Sequence, residues 1–348
     1  MESLPAGTLA AIVGLVGGIV LGLAARLGEF CTLGAIEAAF YGEDQRRLRL
    51  WGVVLGTSII GIFAAAALGW ADPAASFYHT IGWNPLASVL GGLLFGYGMA
   101  MAGNCGFGAL VRFGGGDLRS LVVVVVIGIF AFVTLSGPLA PIRVALFAQS
   151  PSEGPQGFAH LFADLSGLPP LLFALIAGGG AFTWALGHRP LRRSPRQICW
   201  GVAAGLAVVW CFVGTSLLAE YSFGEIGVEG PSFTAPLGRT ILYAMTSSAG
   251  GPGFSVGVVA GVLAGAFIGS SIRHRFRWEA CEDPRELGRQ ISGAAMMGIG
   301  GTLALGCSIG QGISAMSTLA YSAPVTLGAI LLGALVGLRR LIQGFQPD

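Results

Sequence analysis

The chain is predicted to be an all-α integral membrane protein with about nine transmembrane helices, about four short re-entrant helices and two inverted, pseudo-symmetric halves. Three observations carry this prediction. Of 348 residues, 54% are hydrophobic and only 10% charged, and the mean hydropathy is +0.76. A soluble domain carries about 25% charged residues, and the few charges here could not keep a globular surface wet. Glycine contributes 58 residues, more than twice the usual share of about 7%. These glycines lie inside apolar runs, where they let membrane helices approach closely or break. Finally, two cysteines sit in matching glycine frames, Gly103-Asn104-Cys105-Gly106-Phe107-Gly108 and Gly306-Cys307-Ser308-Ile309-Gly310. Gly96 and Gly298 each lie nine residues before the cysteine, and Gly108 and Gly310 three after. Breaks at corresponding places in two halves are the pattern of repeat-built membrane transporters.

A spanning helix needs about 20 mainly apolar residues. Nine stretches approach that length, at roughly 7–27, 50–70, 84–103, 118–136, 169–187, 198–219, 253–271, 290–306 and 324–341. The run from Thr8 to Leu23 has no basic region before it and leads into Arg26, so it reads as a first span rather than a cleaved signal. Four pieces near 30–41, 105–113, 236–247 and 308–321 are too short to span and too apolar for ordinary loops. They read as re-entrant helices, which are tolerated where they are buried or line a cavity. Every basic residue is arginine, and the arginines test the count. Nine spans with the N-terminus outside and the C-terminus inside place 17 of 19 in inner segments, leaving only Arg143 and Arg239 outside. Residues 1–136 then form the first half, 137–197 an outer connection and linking span, and 198–348 the second half. The two halves start on opposite sides, so the breaks at Cys105 and Cys307 enter from opposite faces and converge.

The six cysteines are spaced too far apart for a C-x-x-C redox or zinc motif. Cys199 and Cys211 on the sixth span, and Cys281 in a charged inner loop, read as packing or incidental residues, since a free thiol behaves as a small apolar group. Cys105 and Cys307 stand at helix breaks, and Cys31 opens a short amphipathic piece, Thr32 to Tyr41. These three are the candidates for a substrate path. Asn104, Ser308, Gln311 and Ser314 could donate hydrogen bonds to a passing oxyanion or hold broken backbone, and Gly106, Gly108, Gly306 and Gly310 permit close approach. Glu29 and Glu37 carry the wrong sign for an anion site and are expected to pair with nearby arginines. Asp117 after Gly114-Gly115-Gly116 is expected to cap the fourth span, because the lysine of a P-loop is absent.

The stretches GNCGFGALVRFGGGDLRSL, LGCSIGQGISAMS and RLGEFCTLGAIEAAFYGE resemble the signatures of the YeeE/YedE family of bacterial inner-membrane proteins, and the likeness runs over the whole chain. The resemblance implies uptake of thiosulfate into the cytoplasm, with Cys31, Cys105 and Cys307 as stations along a narrow path. It also implies a TusA-like sulfur-carrier protein as a cytoplasmic partner. Family members linked to selenium or to other sulfur compounds keep those substrates open.

The physical chemistry fits such a path. Burying a dianion in a membrane is costly unless it is compensated. Half-helix N-termini after Cys105 and Cys307 offer free N–H groups and a positive dipole end, while neutral thiols are weak donors suited to brief contacts. Hence the expectation of a relay of protonated thiols, with Cys307 near the outer mouth, Cys105 central and Cys31 toward the cytoplasm. A covalent variant would pass a sulfane sulfur between thiolates. A membrane thiol oxidoreductase would want a close cysteine pair, which the spacing does not supply. A metal carrier would combine thiolates with histidine or carboxylate, whereas His79, His160, His188 and His274 fall in loops or at span ends. No cofactor, metal, nucleotide or nucleic acid is expected, and membrane lipid is the surrounding partner.

Overall fold

The computed structural model describes residues 5–42, 44–248, 250–280 and 283–343. Cys281 and Glu282 lie outside the described residues. In chain order the helices are α1 (Ala6–Gly28), α2 (Thr32–Phe40), α3 (Arg46–Ala67), α4 (Phe77–Thr80), α5 (Pro85–Ala102), α6 (Gly106–Gly114), α7 (Leu118–Leu135) and α8 (Ala140–Leu146). They continue with α9 (Phe158–Ser166), α10 (Pro170–Leu186), α11 (Arg189–Arg192), α12 (Pro195–Tyr221), α13 (Ala235–Thr246), α14 (Phe254–Ile272), α15 (Pro284–Leu303) and α16 (Ser322–Gln343). A π-helical turn, Gly310–Ala315, lies between α15 and α16. Among the described residues there are only isolated bridges and no strand.

Seven helices are long and apolar enough to cross a membrane: α1, α3, α5, α7, α12, α14 and α16. The chain is a multi-pass membrane protein. Of the two other long helices, α10 is apolar but has 17 residues, and α15 has 20 but opens on charged Arg285, Glu286 and Arg289. Each of the nine apolar stretches falls on one of these helices, with boundaries moved by a few residues. Three of the four short pieces are α2, α6 and α13. The fourth differs from expectation: its centre is a π turn, where hydroxyls bond back to carbonyls, Ser317 Oγ to Ser314 O at 2.8 Å and Thr318 Oγ1 to Ala315 O at 2.9 Å. Side-chain bonds of this kind accommodate the wider turn.

The glycine excess has a packing cause. Helix α1 packs most extensively on α14, through two facing stripes, Gly14, Gly18 and Gly22 against Gly257, Gly261 and Gly265. A Cβ on Gly14 would lie 2.5 Å from Phe254 O, and one on Gly22 2.5 Å from Val262 O. The rising register makes this pair parallel. Helices α5 and α15 cross in the opposite sense, Gly91 facing Gly300 and Gly98 facing Gly293, with a Cβ on Gly300 only 2.6 Å from Gly91 O. Without a hydrophobic drive between helices in lipid, close backbone approach of this kind supplies the association energy. Helix α16 lies along α5, α7 along α15, and α3 between α10 and α12.

At one end of the bundle the connection after α7 is strapped down by backbone bonds. Gly82 N–H donates to Ser150 O at 2.7 Å, Ser152 N–H to Thr80 O at 2.9 Å, Phe158 N–H to Leu319 O at 2.9 Å and Tyr321 N–H to Gln156 O at 3.1 Å. His79 and His160 stack edge to face beneath this strap, their ring centroids 5.6 Å apart. At the other end, Arg119 bridges Asp117, Glu279 and Glu286. Glu29 pairs with Arg47 at 3.4 Å and Arg273 at 3.7 Å, so it is tied into the arginine-rich end as its sign required. Asp117 accepts from Arg119 N–H at 3.0 Å and caps α7.

Candidate functional site

Three helix starts meet in the core. Gly103, at φ +75°, ends α5 in the left-handed region, and Cys105 then caps α6 in extended conformation, its Sγ accepting from Gly108 N–H at 3.4 Å. Gly106 allows the chain to pass Phe233, whose carbonyl oxygen lies 2.5 Å from where a Cβ would stand. In the other half, Leu305 and Gly306 both have positive φ, +56° and +157°. These two residues turn the backbone sharply between α15 and Cys307. A left-handed leucine costs of order 1 kcal/mol or more and persists only where its surroundings hold it. Here the holder is Gln311, whose Nε2 donates to Ala304 O at 2.8 Å and Leu305 O at 3.3 Å while its Oε1 accepts from Ser322 Oγ at 3.1 Å. Gln311 therefore braces the break with both ends of its amide. Ser314 is likewise engaged, with Pro231 O at 2.7 Å.

Cys307 is wholly buried. Its Sγ accepts from Phe233 N–H at 3.2 Å and from Gly310 N–H at 3.3 Å, with Ser232 Oγ at 3.9 Å. Cys105, 1% exposed, is tied to the Cys307 segment through the Thr32 hydroxyl. Thr32 Oγ1 lies 3.9 Å from Cys105 Sγ and donates to Ser308 Oγ at 3.2 Å. Cys31, half-buried, immediately precedes α2 in extended conformation and makes no side-chain cap bond. The three cysteines thus stand at starts of short helices linked by Thr32 and Ser308. Asn104 is buried, and its Oδ1 has no partner. Aromatic rings run beside the stations: Trp51 to Phe30 at 5.2 Å, Phe30 to Phe107 at 6.4 Å and Phe107 to Phe233 at 5.1 Å between centroids. Cys211 packs buried on α12 beside Gly17 and Cys199 is exposed, so neither joins the group.

A vestibule of about 270 Å³ opens at the strapped end and reaches Gly306, the neighbour of Cys307. Ser232, Thr234, Ala235, Pro236, Arg239 and Glu229 are among its lining residues. Thr234 precedes α13 without capping it, and its Oγ1 is buried with no partner. The N-terminus of α13, the Thr234 hydroxyl and the Arg239 guanidinium therefore share one cavity, a combination that favours an anion. At the other end Arg47 Nη1 comes within 3.1 Å of a Cβ position on Gly34, in the helix that Cys31 opens.

The sequence singles out Cys31, Cys105 and Cys307 as candidates but not their neighbours Thr32, Ser232 and Phe233, nor Thr234 and Arg239 in the vestibule. A signal existed: Phe30-Cys31-Thr32-Leu33-Gly34 at the start of α2 resembles the one-residue-longer Phe233-Thr234-Ala235-Pro236-Leu237-Gly238 at the start of α13, and the residue just before each helix is Cys31 in one and Thr234 in the other. Among the described residues no cluster of histidine, cysteine or carboxylate is suited to hold a metal ion.

Comparison with known proteins matches residues 27–336 to the family described as sulphur transport. A thiosulfate transporter TsuA from Spirochaeta thermophila is 22% identical over 333 residues, covering 92% of this chain and 96% of the relative. A thiosulfate transporter TsuA from Escherichia coli is 24% identical over 332 residues, covering 92% and 91%. With a match this long, on a helical membrane core built around buried thiols, the chain belongs to the sulphur-transport family.

Proposed function

We propose that this protein carries thiosulfate across the bacterial inner membrane into the cytoplasm, past Cys307, then Cys105, then Cys31. The observation that carries the reading is the junction of the two halves. Thr32 and Ser308, the residues that follow Cys31 and Cys307, bond to each other, and the Thr32 hydroxyl also reaches the Cys105 thiol. An ion leaving the vestibule meets Cys307 first and then this hydroxyl-flanked thiol. The donors are neutral: thiols, hydroxyls and the first N–H groups of short helices. They compensate charge without binding it so tightly that release stops, as conduction requires. Apolar rings beside the stations keep bulk water out.

The same reading takes the fold as an inverted repeat with nine crossings, and the helix packing supports it. Pairing α1 with α12, α2 with α13, α3 with α14, α5 with α15, α6 with the π turn and α7 with α16 maps the packing pattern onto itself. The glycine registers agree, since α1 runs antiparallel to α12 and α5 antiparallel to α15. The N-terminus lies outside and the C-terminus inside, supported by the 17 of 19 arginines on that side. The exposed arginines of α11 and its flanks, Arg189, Arg192, Arg193 and Arg196, suit an acidic cytoplasmic partner, and a TusA-like sulfur carrier is the expected one.

The test is growth of a sulfur-auxotrophic bacterium on thiosulfate alone, carrying wild type or single alanine variants of Cys31, Cys105 and Cys307, with expression matched. Growth that depends on wild type and fails for Cys105→Ala is expected. Rescue with a different sulfur compound but not with thiosulfate, or uptake of a labelled selenium compound in place of thiosulfate, would reassign the substrate. Persulfide on these cysteines after turnover would turn the relay into covalent transfer.

A further inference from the structure

We propose that Glu229 is a release residue: its carboxylate holds the vestibule near neutrality, so that a divalent anion binds weakly and leaves. The inference rests on the reading of the vestibule as the entrance for an anion. Among the described residues that line it, Arg239 is the only cation. Its Nη1 donates to Glu229 Oε1 at 3.2 Å and to Ser255 Oγ at 3.3 Å. Glu229 lines the same cavity and is held by its backbone, since its N–H donates to Thr215 Oγ1 at 3.2 Å and its carbonyl accepts from that hydroxyl at 3.1 Å. The carboxylate therefore cannot retreat far when Arg239 turns to another anion.

The side chains of Arg239 and Glu229 are 48% and 27% exposed. An ion pair this open to water contributes little to stability and yields readily to a competing anion. Once it yields, the anion feels the guanidinium and the carboxylate together. The N-terminus of α13 and the Thr234 hydroxyl then supply the net attraction. Arg143, the other outer arginine, is not among the lining residues; it sits at the vestibule's edge, donating to Thr134 O at 3.2 Å and to Gln149 Oε1, a lining residue, at 3.3 Å.

The charge of the ligand gives the proposal a specific signature. Removing one negative charge at a fixed distance stabilises a bound anion in proportion to that anion's charge. In Glu229→Gln the gain in log affinity for a dianion is therefore twice the gain for a monoanion. At this exposure we expect about threefold tighter nitrate and about tenfold tighter sulfate and thiosulfate, both gains shrinking as salt rises. Glutamine keeps the size of the side chain and leaves the backbone bonds to Thr215 untouched.

The experiment titrates purified wild type, Glu229→Gln and Glu229→Asp with nitrate, sulfate and thiosulfate at low ionic strength, by calorimetry. The same proteins in proteoliposomes are assayed for labelled thiosulfate entry. The expected result is tighter binding in Glu229→Gln with the two-to-one charge signature, a lower KM and a lower maximal rate, while Glu229→Asp stays near wild type. Equal affinities in wild type and Glu229→Gln overturn the proposal, as does a gain that is the same for mono- and dianions. A two-to-one gain in Glu229→Gln together with wild type that admits no thiosulfate refutes the import reading and leaves the effect of Glu229 on anion affinity standing.

Discussion

Replacing Cys307 separates what its sulfur does for the fold from what it does for transport. In Cys307→Ala two buried N–H groups, of Phe233 and Gly310, lose the acceptor that now sits 3.2 and 3.3 Å away. A buried donor left without a partner costs about 1–3 kcal/mol. Sulfur is a weak acceptor, so each loss belongs near the bottom of that range, about 2 kcal/mol for the pair. The missing Sγ atom adds about 1 kcal/mol for its void, giving about 3 kcal/mol in all. Cys307→Ser keeps an acceptor on a shorter bond and is expected to lose about 1 kcal/mol. Thermal unfolding in detergent should therefore rank wild type above serine and serine above alanine, while thiosulfate uptake is lost in both. If alanine unfolds with wild type, the contacts to sulfur contribute nothing. If serine imports as wild type does, a hydroxyl suffices at this station and the thiol account fails there.

Further outcomes follow from other parts of the core. Thr32→Val keeps the shape but removes the donor to Ser308 at 3.2 Å, and is expected to cut uptake at least fivefold while costing about 1–2 kcal/mol. An unchanged uptake rate would take Thr32 out of the path. His79, beneath the strap, has its pKa lowered to about 4 by burial, with neighbouring His160 adding to the effect. Its folded value lies below the unfolded one, so the stabilising contribution is complete above about pH 6.5 and is lost as pH falls from there toward 4, up to about 3 kcal/mol. The unfolding temperature should fall across that window in wild type and flatten in His79→Phe, and equal slopes would contradict the assignment. Gly300→Ala places a Cβ 2.6 Å from both Gly91 O and Phe95 N. Backbone cannot yield as a side chain does, so a loss above about 2 kcal/mol is expected, visible as reduced folded yield. A wild-type yield would mean the α5–α15 contact is looser than it stands.

What was legible in the sequence was what is local in it. Apolar length marked the long helices, and glycine beside cysteine marked the breaks, because a chain that stops being helical inside lipid needs small residues and capping groups where it stops. The charged start of α15 and the shortness of α10 blur the same signal, so length and hydropathy alone select seven helices as spanning. The site was only half visible. Thr32 meets Ser308 across 276 positions and Phe233 meets Cys307 across 74, and nothing local to Thr32 or Phe233 announces those meetings. Gln311, a candidate path residue by chemistry, is spent on the break itself, which only the positions of Ala304 and Leu305 reveal. The likeness between the starts of α2 and α13 was readable but short, and it sets the Thr234 hydroxyl before α13 where Cys31 stands before α2.

The central claim is that thiosulfate passes the Cys105 thiol, and the most direct measurement is entry of radiolabelled thiosulfate into proteoliposomes containing wild type or Cys105→Ala at matched, folded protein content. Entry is expected with wild type, and entry at the rate of empty liposomes with the variant. Equal rates for the two proteins would contradict it, leaving Cys105 as a residue of packing.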